Sequence, residues 1–171
     1  ARSIPALRFR GLSVPQCADH IAKIADARRP DAIVIESVGL GIGVCDLLID
    51  RGYRVHRAYP GAQAKEMQHY HNLRAEWWAQ MREWLYEHGV LPDDRTLYAE
   101  LTQVNYLLSK STGKILIESK EDMSKRGLSS PDHADMLALT FAVRIARRDR
   151  NNDYHAARGR RLGRTLSVAF A

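Results

Sequence analysis

The sequence DAIVIESVGLGIG, residues 31–43, decides the fold, because it predicts a buried strand followed at once by a glycine-rich turn. The four apolar, partly β-branched residues between Asp31 and Glu36 are typical of a central strand covered on both faces. Pro30 ends the helix before this strand, and the turn leads into a helix over Val44–Asp50. Glu36 is therefore expected at the carboxyl end of the strand, where open α/β sheets place their ligands.

The glycine spacing limits which kind of site this turn can form. It is G-x-G-x-G rather than the G-x-G-x-x-G of dinucleotide-binding folds. No Gly-Lys-Ser or Gly-Lys-Thr occurs in the sequence, which excludes a phosphate-binding P-loop. A nucleotide-binding protein is accordingly the weakest of the functional hypotheses.

A second acidic motif, SSPDHAD at residues 129–135, predicts the start of a buried helix. Asp132 and Asp135 are three residues apart and therefore share one face of that helix. One interpretation is that they only cap the helix and favour its dipole. The other combines them with Glu36, because a strand-end carboxylate and helix-start carboxylates are what a phosphodiester-cleaving site with two Mg²⁺ or Mn²⁺ ions requires.

Composition indicates one globular domain with a basic tail. The chain has 171 residues, of which 45% are hydrophobic and 27% charged. No apolar run is long enough to span a membrane, so no membrane association is expected. Cys17 and Cys45 lack the spacing of a zinc site and are expected to be buried thiols. Residues 147–171 contain seven arginines and two aspartates, which predicts a flexible tail suited to contacting phosphates, or a solvated tail with no partner.

The remaining pattern alternates helices and strands, which favours an α/β sheet with parallel pairing. Asn72 is the predicted cap of a long helix. In chain order, the other predicted elements are an edge strand at Ala6–Arg10, a helix at Pro15–Arg28, a strand at Tyr53–Ala58, the helix from Asn72 to His88, a helix from Pro92 to Leu108, a strand at Lys114–Glu118 and a short helix at Glu121–Arg126.

Several of these segments, in their order and spacing, resemble the nuclease domain of the large terminase subunit of tailed bacteriophages. The resemblance covers roughly Ile4 to Val143 and depends on the ordered set rather than on any single motif. Its pieces are Asp31–Gly43 with Asp46, Gly52-Tyr53, Asn72–Glu76, Leu97–Leu101, Ile117–Lys120, Lys125–Gly127 and Ser130–Phe141.

The resemblance implies an α/β fold with an RNase H-like mixed sheet flanked by helices, and divalent-metal cleavage of double-stranded DNA. Three acids usually bind the ions in that family. Glu36 matches the second and Asp132 the third, with Asp135 as a further acid one turn on. The strand that carries the first acid would lie before Ala1, as would the ATPase half. Residues 1–146 are thus expected to be a nuclease domain incomplete at its N-terminus. This polypeptide alone is expected to cleave DNA feebly or not at all, whereas the protein extended upstream is expected to cleave it with Mg²⁺ or Mn²⁺.

The resemblance also implies DNA contacts and partners. Lys120, Lys125, Arg126 and Arg74 are predicted to contact the DNA backbone, although basic residues in a solvated loop have the same pattern. The expected partners are double-stranded DNA, the terminase small subunit and the portal protein, in the cytoplasm of a bacterial host that carries the phage or prophage.

Two other functions are consistent with the same residues. One is another RNase H-like nuclease of the resolvase or transposase type, which would use the same acids. The other is a non-catalytic DNA-binding or assembly module that uses the basic tail.

Overall fold

The computed structural model describes residues 3, 6–144 and 165–168, which form two small sheets surrounded by helices. The elements of this part, in chain order, are α1 (Val14–Arg28), β1 (Ala32–Glu36), α2 (Leu40–Asp50), β2 (Val55–Ala58), α3 (Leu73–Tyr86), α4 (Arg95–Gln103), β3 (Tyr106–Leu108), β4 (Ile115–Ile117), α5 (Lys120–Lys125), α6 (Asp132–Leu139), a 3₁₀ turn (Thr140–Ala142) and β5 (Thr165–Val168).

The main sheet has the strand order β2-β1-β5, with both pairings parallel. In register, Glu36 lies opposite Ala58 of β2, and Ile35 lies opposite Val168 of β5. This confirms the predicted central strand and the parallel pairing. The two-stranded sheet of β3 and β4 is antiparallel. The strands of the described residues thus form two separate sheets, whereas the expectation was one mixed sheet. A single parallel bridge, between Tyr70 and Ile115, also joins the β4 side.

Strand β1 separates two apolar clusters, because successive side chains of a strand point to opposite faces. Ile33 and Ile35 pack in a cluster with residues of α1 and α2, which we call the far cluster. Val34 packs with residues of α3, α4 and α6 in the larger near cluster. Val34 and Ile35 are both fully buried, as a strand covered on both faces requires.

Helix α2 begins at Leu40, four residues earlier than predicted, so that Gly39 is the one predicted turn glycine that precedes the helix. Gly39 has a φ of 54° and ψ of −123°, a conformation that glycine adopts without a Cβ clash. Gly43 lies within α2, where a Cβ would be 3.1 Å from Cγ1 of Val14 on α1. The absence of a side chain at Gly43 thus allows α1 and α2 to approach each other.

Two predicted elements are wrong. Residues 6–10 form no strand, and Leu7 and Phe9 are about half exposed because the described part of the chain supplies no partner strand. Instead, Phe9 stacks on His20 of α1, with ring centroids 4.8 Å apart. Residues 106–108, predicted as the end of a helix, form β3, because pairing with β4 satisfies their backbone groups.

The chain was predicted to divide into a domain at residues 1–146 and a basic tail at residues 147–171. Most of that tail lies outside the described residues. Within the tail, Thr165–Val168 form β5 and pair with β1. Among the helices in the described ranges, none is both long and apolar enough to cross a membrane.

Candidate active site

A cleft with a volume of about 250 Å³ lies at the carboxyl end of β1. Its lining combines apolar side chains with charged groups of both signs. The cleft is lined by Glu36, Pro60, Arg74, Trp77, Trp78, Ser119, Lys120, Asp135, Ala138 and Leu139. It therefore brings together residues from β1, α3, α5 and α6 that are up to about a hundred positions apart in the sequence.

Glu36 is placed in this cleft by the sheet. Glu36 is two residues after Val34 in β1, and side chains two apart in a strand lie on the same face of the sheet. Glu36 therefore points toward the near cluster rather than toward α1 and α2. The ladder continues one residue past it, because the Ser37 backbone N–H donates to the Ala58 carbonyl at 2.7 Å. The strand end is thereby fixed, and Glu36 is only partly buried.

Asp132 is the first residue of α6, and positively charged side chains lie beside its carboxylate. Its carboxylate accepts from the Ser130 hydroxyl at 2.7 Å and from the Arg8 guanidinium at 3.1 Å. The Lys120 ammonium lies 3.6 Å away. The Asp132 side chain is 15% exposed, whereas those of Arg8 and Lys120 are 42% and 45% exposed. Asp132 is linked to the cleft through Lys120, which lines it.

Asp135, one turn later, is held more firmly. Nε and Nη2 of Arg74 donate to its two oxygens at 2.9 and 3.3 Å. The indole Nε1 of Trp78 donates to the same carboxylate at 2.8 Å. The Asp135 side chain is 13% exposed. Asp135 thus lines the cleft with three donors bound to its carboxylate, and its predicted role as a metal ligand stays a prediction.

The start of α6 has a further anchor that the sequence did not indicate. Pro131 at the N-cap makes no side-chain capping hydrogen bond. Instead, the Glu100 carboxylate of α4 accepts from the Ala134 backbone N–H at 2.9 Å. Glu100 is buried, and this burial raises the pKa of its carboxyl. The available signal was its place three residues after Leu97 on the apolar stripe of α4.

The four predicted DNA contacts occupy different surroundings. Arg74 and Lys120 lie in the cleft. Lys125 is exposed and pairs with Asp122 at 2.6 Å. Arg126 donates to the buried Glu118 and to the Gln103 carbonyl, so it ties α5 to the end of α4. This arrangement leaves Lys120 and Lys125 as the more accessible cations of the four.

The pair of Glu118 and Arg126 predicts a pH dependence of stability. The Arg126 hydrogen bond holds the pKa of Glu118 below its ordinary value of 4.5. A depressed pKa stabilises the folded state above the unfolded value, and this stabilisation is lost as pH falls through the folded pKa. We expect the midpoint of urea unfolding to drop less below pH 4.5 in Glu118→Gln than in the wild type. Glu121→Gln, at an exposed neighbouring position, is the control. If the unfolding midpoint of Glu118→Gln falls below pH 4.5 as steeply as that of the wild type, the pair does not cause this pH dependence.

The donor atoms suit hard divalent cations, although the metal site is not complete by itself. Among residues 3, 6–144 and 165–168, no group of three or more His, Cys, Asp or Glu side chains is placed to hold a metal ion. Mg²⁺ is, however, often bound by one or two carboxylates, with waters and substrate phosphates as its other ligands. Glu36 lines the cleft, and the carboxylate of Asp132 has partners, Arg8 and Lys120, that are partly exposed.

Comparison with known proteins gives a clear fold. No family model matches the sequence, and no curated protein matches it significantly. A mutant nuclease domain of the large terminase subunit gp2 of bacterial virus Sf6, solved with manganese and beta-thujaplicinol, matches the structure with a TM-score of 0.67 at 16% identity. The match covers 77% of this chain and 73% of that chain.

A second structure of the same Sf6 nuclease domain also has a TM-score of 0.67, at 17% identity, over 76% of this chain and 73% of that one. This chain therefore has the fold of the nuclease domain of a phage large terminase subunit, which confirms the resemblance seen in the sequence.

Proposed function

We propose that this chain is a metal-dependent endonuclease of the RNase H-like type, and that it cuts double-stranded, concatemeric DNA as part of a viral packaging motor. The observation that supports this most is the convergence of Glu36, Lys120 and the acidic start of α6 at one cleft, in a chain with this fold. A basic group beside paired acids suits a substrate that is itself a phosphate diester.

In this proposal Glu36 and Asp132 hold Mg²⁺ or Mn²⁺, with two ions at full occupancy. When bound, the ions would activate the attacking water and stabilise negative charge on the phosphodiester. Lys120 lines the cleft, and its accessible ammonium is 3.6 Å from Asp132. It would contact the phosphate once the metal occupies the carboxylates. Lys125, with a side chain that is 73% exposed, would contact the flanking DNA backbone.

The proposal also names a substrate and partners, which the fold alone does not identify. Double-stranded DNA is the substrate, and the terminase small subunit and the portal protein are the expected partners, in the bacterial host cytoplasm. A resolvase-type or transposase-type nuclease would use the same acids.

A non-catalytic DNA-binding module is the second candidate. The ion pairs that neutralise Asp132 and Asp135 favour it, because a carboxylate already paired with a cation binds a metal less strongly.

Metal binding by the chain itself separates these functions. We expect millimolar Mn²⁺ to stabilise the wild-type chain by about 1.4 kcal/mol at a tenfold excess over its dissociation constant. The stabilisation should vanish in Asp132→Ala and persist in Asp19→Ala, which removes a surface acid of α1. The measurement is the melting temperature as a function of Mn²⁺ concentration. Equal stabilisation of wild type and Asp132→Ala would favour the non-catalytic module.

Arg8 should compete with the metal for Asp132. Removal of this cation in Arg8→Gln is expected to lower the Mn²⁺ concentration at half-maximal stabilisation about two- to fivefold, as an exposed ion pair worth about 0.5–1 kcal/mol implies. Arg10→Gln removes an exposed charge two residues away and is the matched control. The competition is disproved if both variants show the same Mn²⁺ dependence as the wild type.

A further inference from the structure

Arg74 joins three elements around the cleft through one guanidinium. Nε and Nη2 donate to Asp135 at the start of α6, and Nη1 donates to the Glu118 carbonyl oxygen at 2.9 Å. Glu118 follows β4 directly and precedes Lys120 by two residues. Arg74 itself is in the first turn of α3. A single side chain therefore fixes the start of α6 relative to the segment that carries Lys120.

Trp78, one turn further along α3, completes this arrangement. Its indole donates to Asp135 at 2.8 Å, and the Arg74 guanidinium carbon lies 5.9 Å from the centroid of its ring. Trp78 is 2% exposed and cannot move without disturbing the near cluster. The backbone N–H of Arg74 donates to the Pro60 carbonyl at 2.9 Å, which also ties α3 to the loop after β2.

We infer that Arg74 and Asp135 are positioning residues that set the Asp132 carboxylate relative to Lys120, and that neither contacts DNA or metal. This inference deepens the proposed function and rests on it. Asp132 and Asp135 lie in the same first turn of α6, so the contacts that hold Asp135 also set where Asp132 points.

The burial of the pair opposes a direct role in DNA binding. The Arg74 and Asp135 side chains are 17% and 13% exposed. A phosphate that captured Arg74 would leave the Asp135 charge unpaired in a site largely removed from water, which is strongly unfavourable. Lysine cannot reproduce the contacts, because its single ammonium lacks the planar fork that binds both carboxylate oxygens and the carbonyl together.

The test is Arg74→Lys, which keeps the charge and removes the fork. Arg82→Lys is the matched control, because Arg82 is an exposed arginine two turns along the same helix. Affinity for a DNA duplex is measured by fluorescence anisotropy over a range of salt concentrations without metal. We expect affinity within twofold of wild type and an unchanged salt slope for both variants. A large loss of affinity with a reduced salt slope for Arg74→Lys alone would make Arg74 a DNA contact and overturn the inference.

The role of Asp135 is tested by NMR and by kinetics. The indole N–H resonance of Trp78 is identified with Trp78→Phe and followed during titration with Mg²⁺. If Asp135 is a positioning residue, it keeps the hydrogen bond from the Trp78 indole when Mg²⁺ is added. The change in chemical shift caused by Mg²⁺ should then be small compared with the change caused by Arg74→Lys. A shift as large as that one would identify Asp135 as a metal ligand instead.

In cleavage, Arg74→Lys and Asp135→Asn should lower kcat about 10- to 100-fold with KM for DNA unchanged, as expected for a displaced supporting group. A changed KM with kcat preserved would contradict the inference. If Mn²⁺ stabilises the wild-type chain and Asp132→Ala equally, the proposed function fails, whereas the anisotropy and NMR measurements still decide whether Arg74 and Asp135 position the start of α6.

Discussion

Asp132→Asn is expected to reduce metal-dependent DNA cleavage about 1,000-fold or more, since loss of metal-based charge stabilisation costs several kcal/mol in the transition state. The asparagine keeps the size of the side chain and can still accept from Ser130, so α6 should remain folded. It removes the anionic oxygen that the proposed ions need. Binding of duplex DNA should survive, because the proposed contacts to phosphates come from Lys120 and Lys125 rather than from Asp132.

The assay compares cleavage of plasmid DNA in Mg²⁺ and in Mn²⁺ with DNA affinity measured separately. Asp19→Asn, at a surface ion pair of α1, is the control for the loss of one carboxylate. The thermal stabilisation by Mn²⁺ is measured in parallel for each variant, so that metal binding is followed independently of cleavage. Wild-type cleavage by Asp132→Asn would remove Asp132 from the site.

Trp78→Ala is expected to lower the free energy of unfolding by about 3–5 kcal/mol, the usual range for deletion of a buried tryptophan side chain. Trp78 is among the largest fully buried side chains of the near cluster, and its loss also removes a donor to Asp135. Urea unfolding followed by circular dichroism gives the change.

Trp78→Phe separates packing from hydrogen bonding. It keeps most of the buried area and loses the indole donor, so we expect a cost of about 1.5–3 kcal/mol, as for a hydrogen bond to a charged group. Trp84→Ala is a useful comparison, since Trp84 is only partly buried and contacts Phe141 at the margin of the same cluster. The packing argument fails if Trp78→Ala is no more destabilised than Trp84→Ala.

Features set by local sequence were predictable. Strand β1, the position of Glu36 at its end, the Asn72 cap of α3 and the helix start at Asp132 were all expected from neighbouring residues. In each case the signal lies within a few positions: an apolar run, a capping side chain or a proline before acidic residues.

Features that depend on residues far away in the sequence could not be predicted. Strand β3 was predicted as helix because its pairing with β4 is invisible in its own sequence. The capping of α6 by Glu100 spans 34 positions, and the contact between Arg74 and Asp135 spans 61. The sequence singled out Arg74 for DNA and Asp135 for metal, but it did not predict the contact between them.

The division of the apolar interior by β1 has a consequence for how such a chain can diverge. Every residue that lines the cleft comes from β1 or from elements on the side of α3 and α6, while α1 and α2 pack against the opposite face. The α1–α2 layer is separated from the cleft by β1, and a second connection runs through Phe9, which stacks on His20 of α1, to its neighbour Arg8, which binds Asp132. That layer can therefore accumulate changes in its surface and length with little direct effect on the residues that line the cleft.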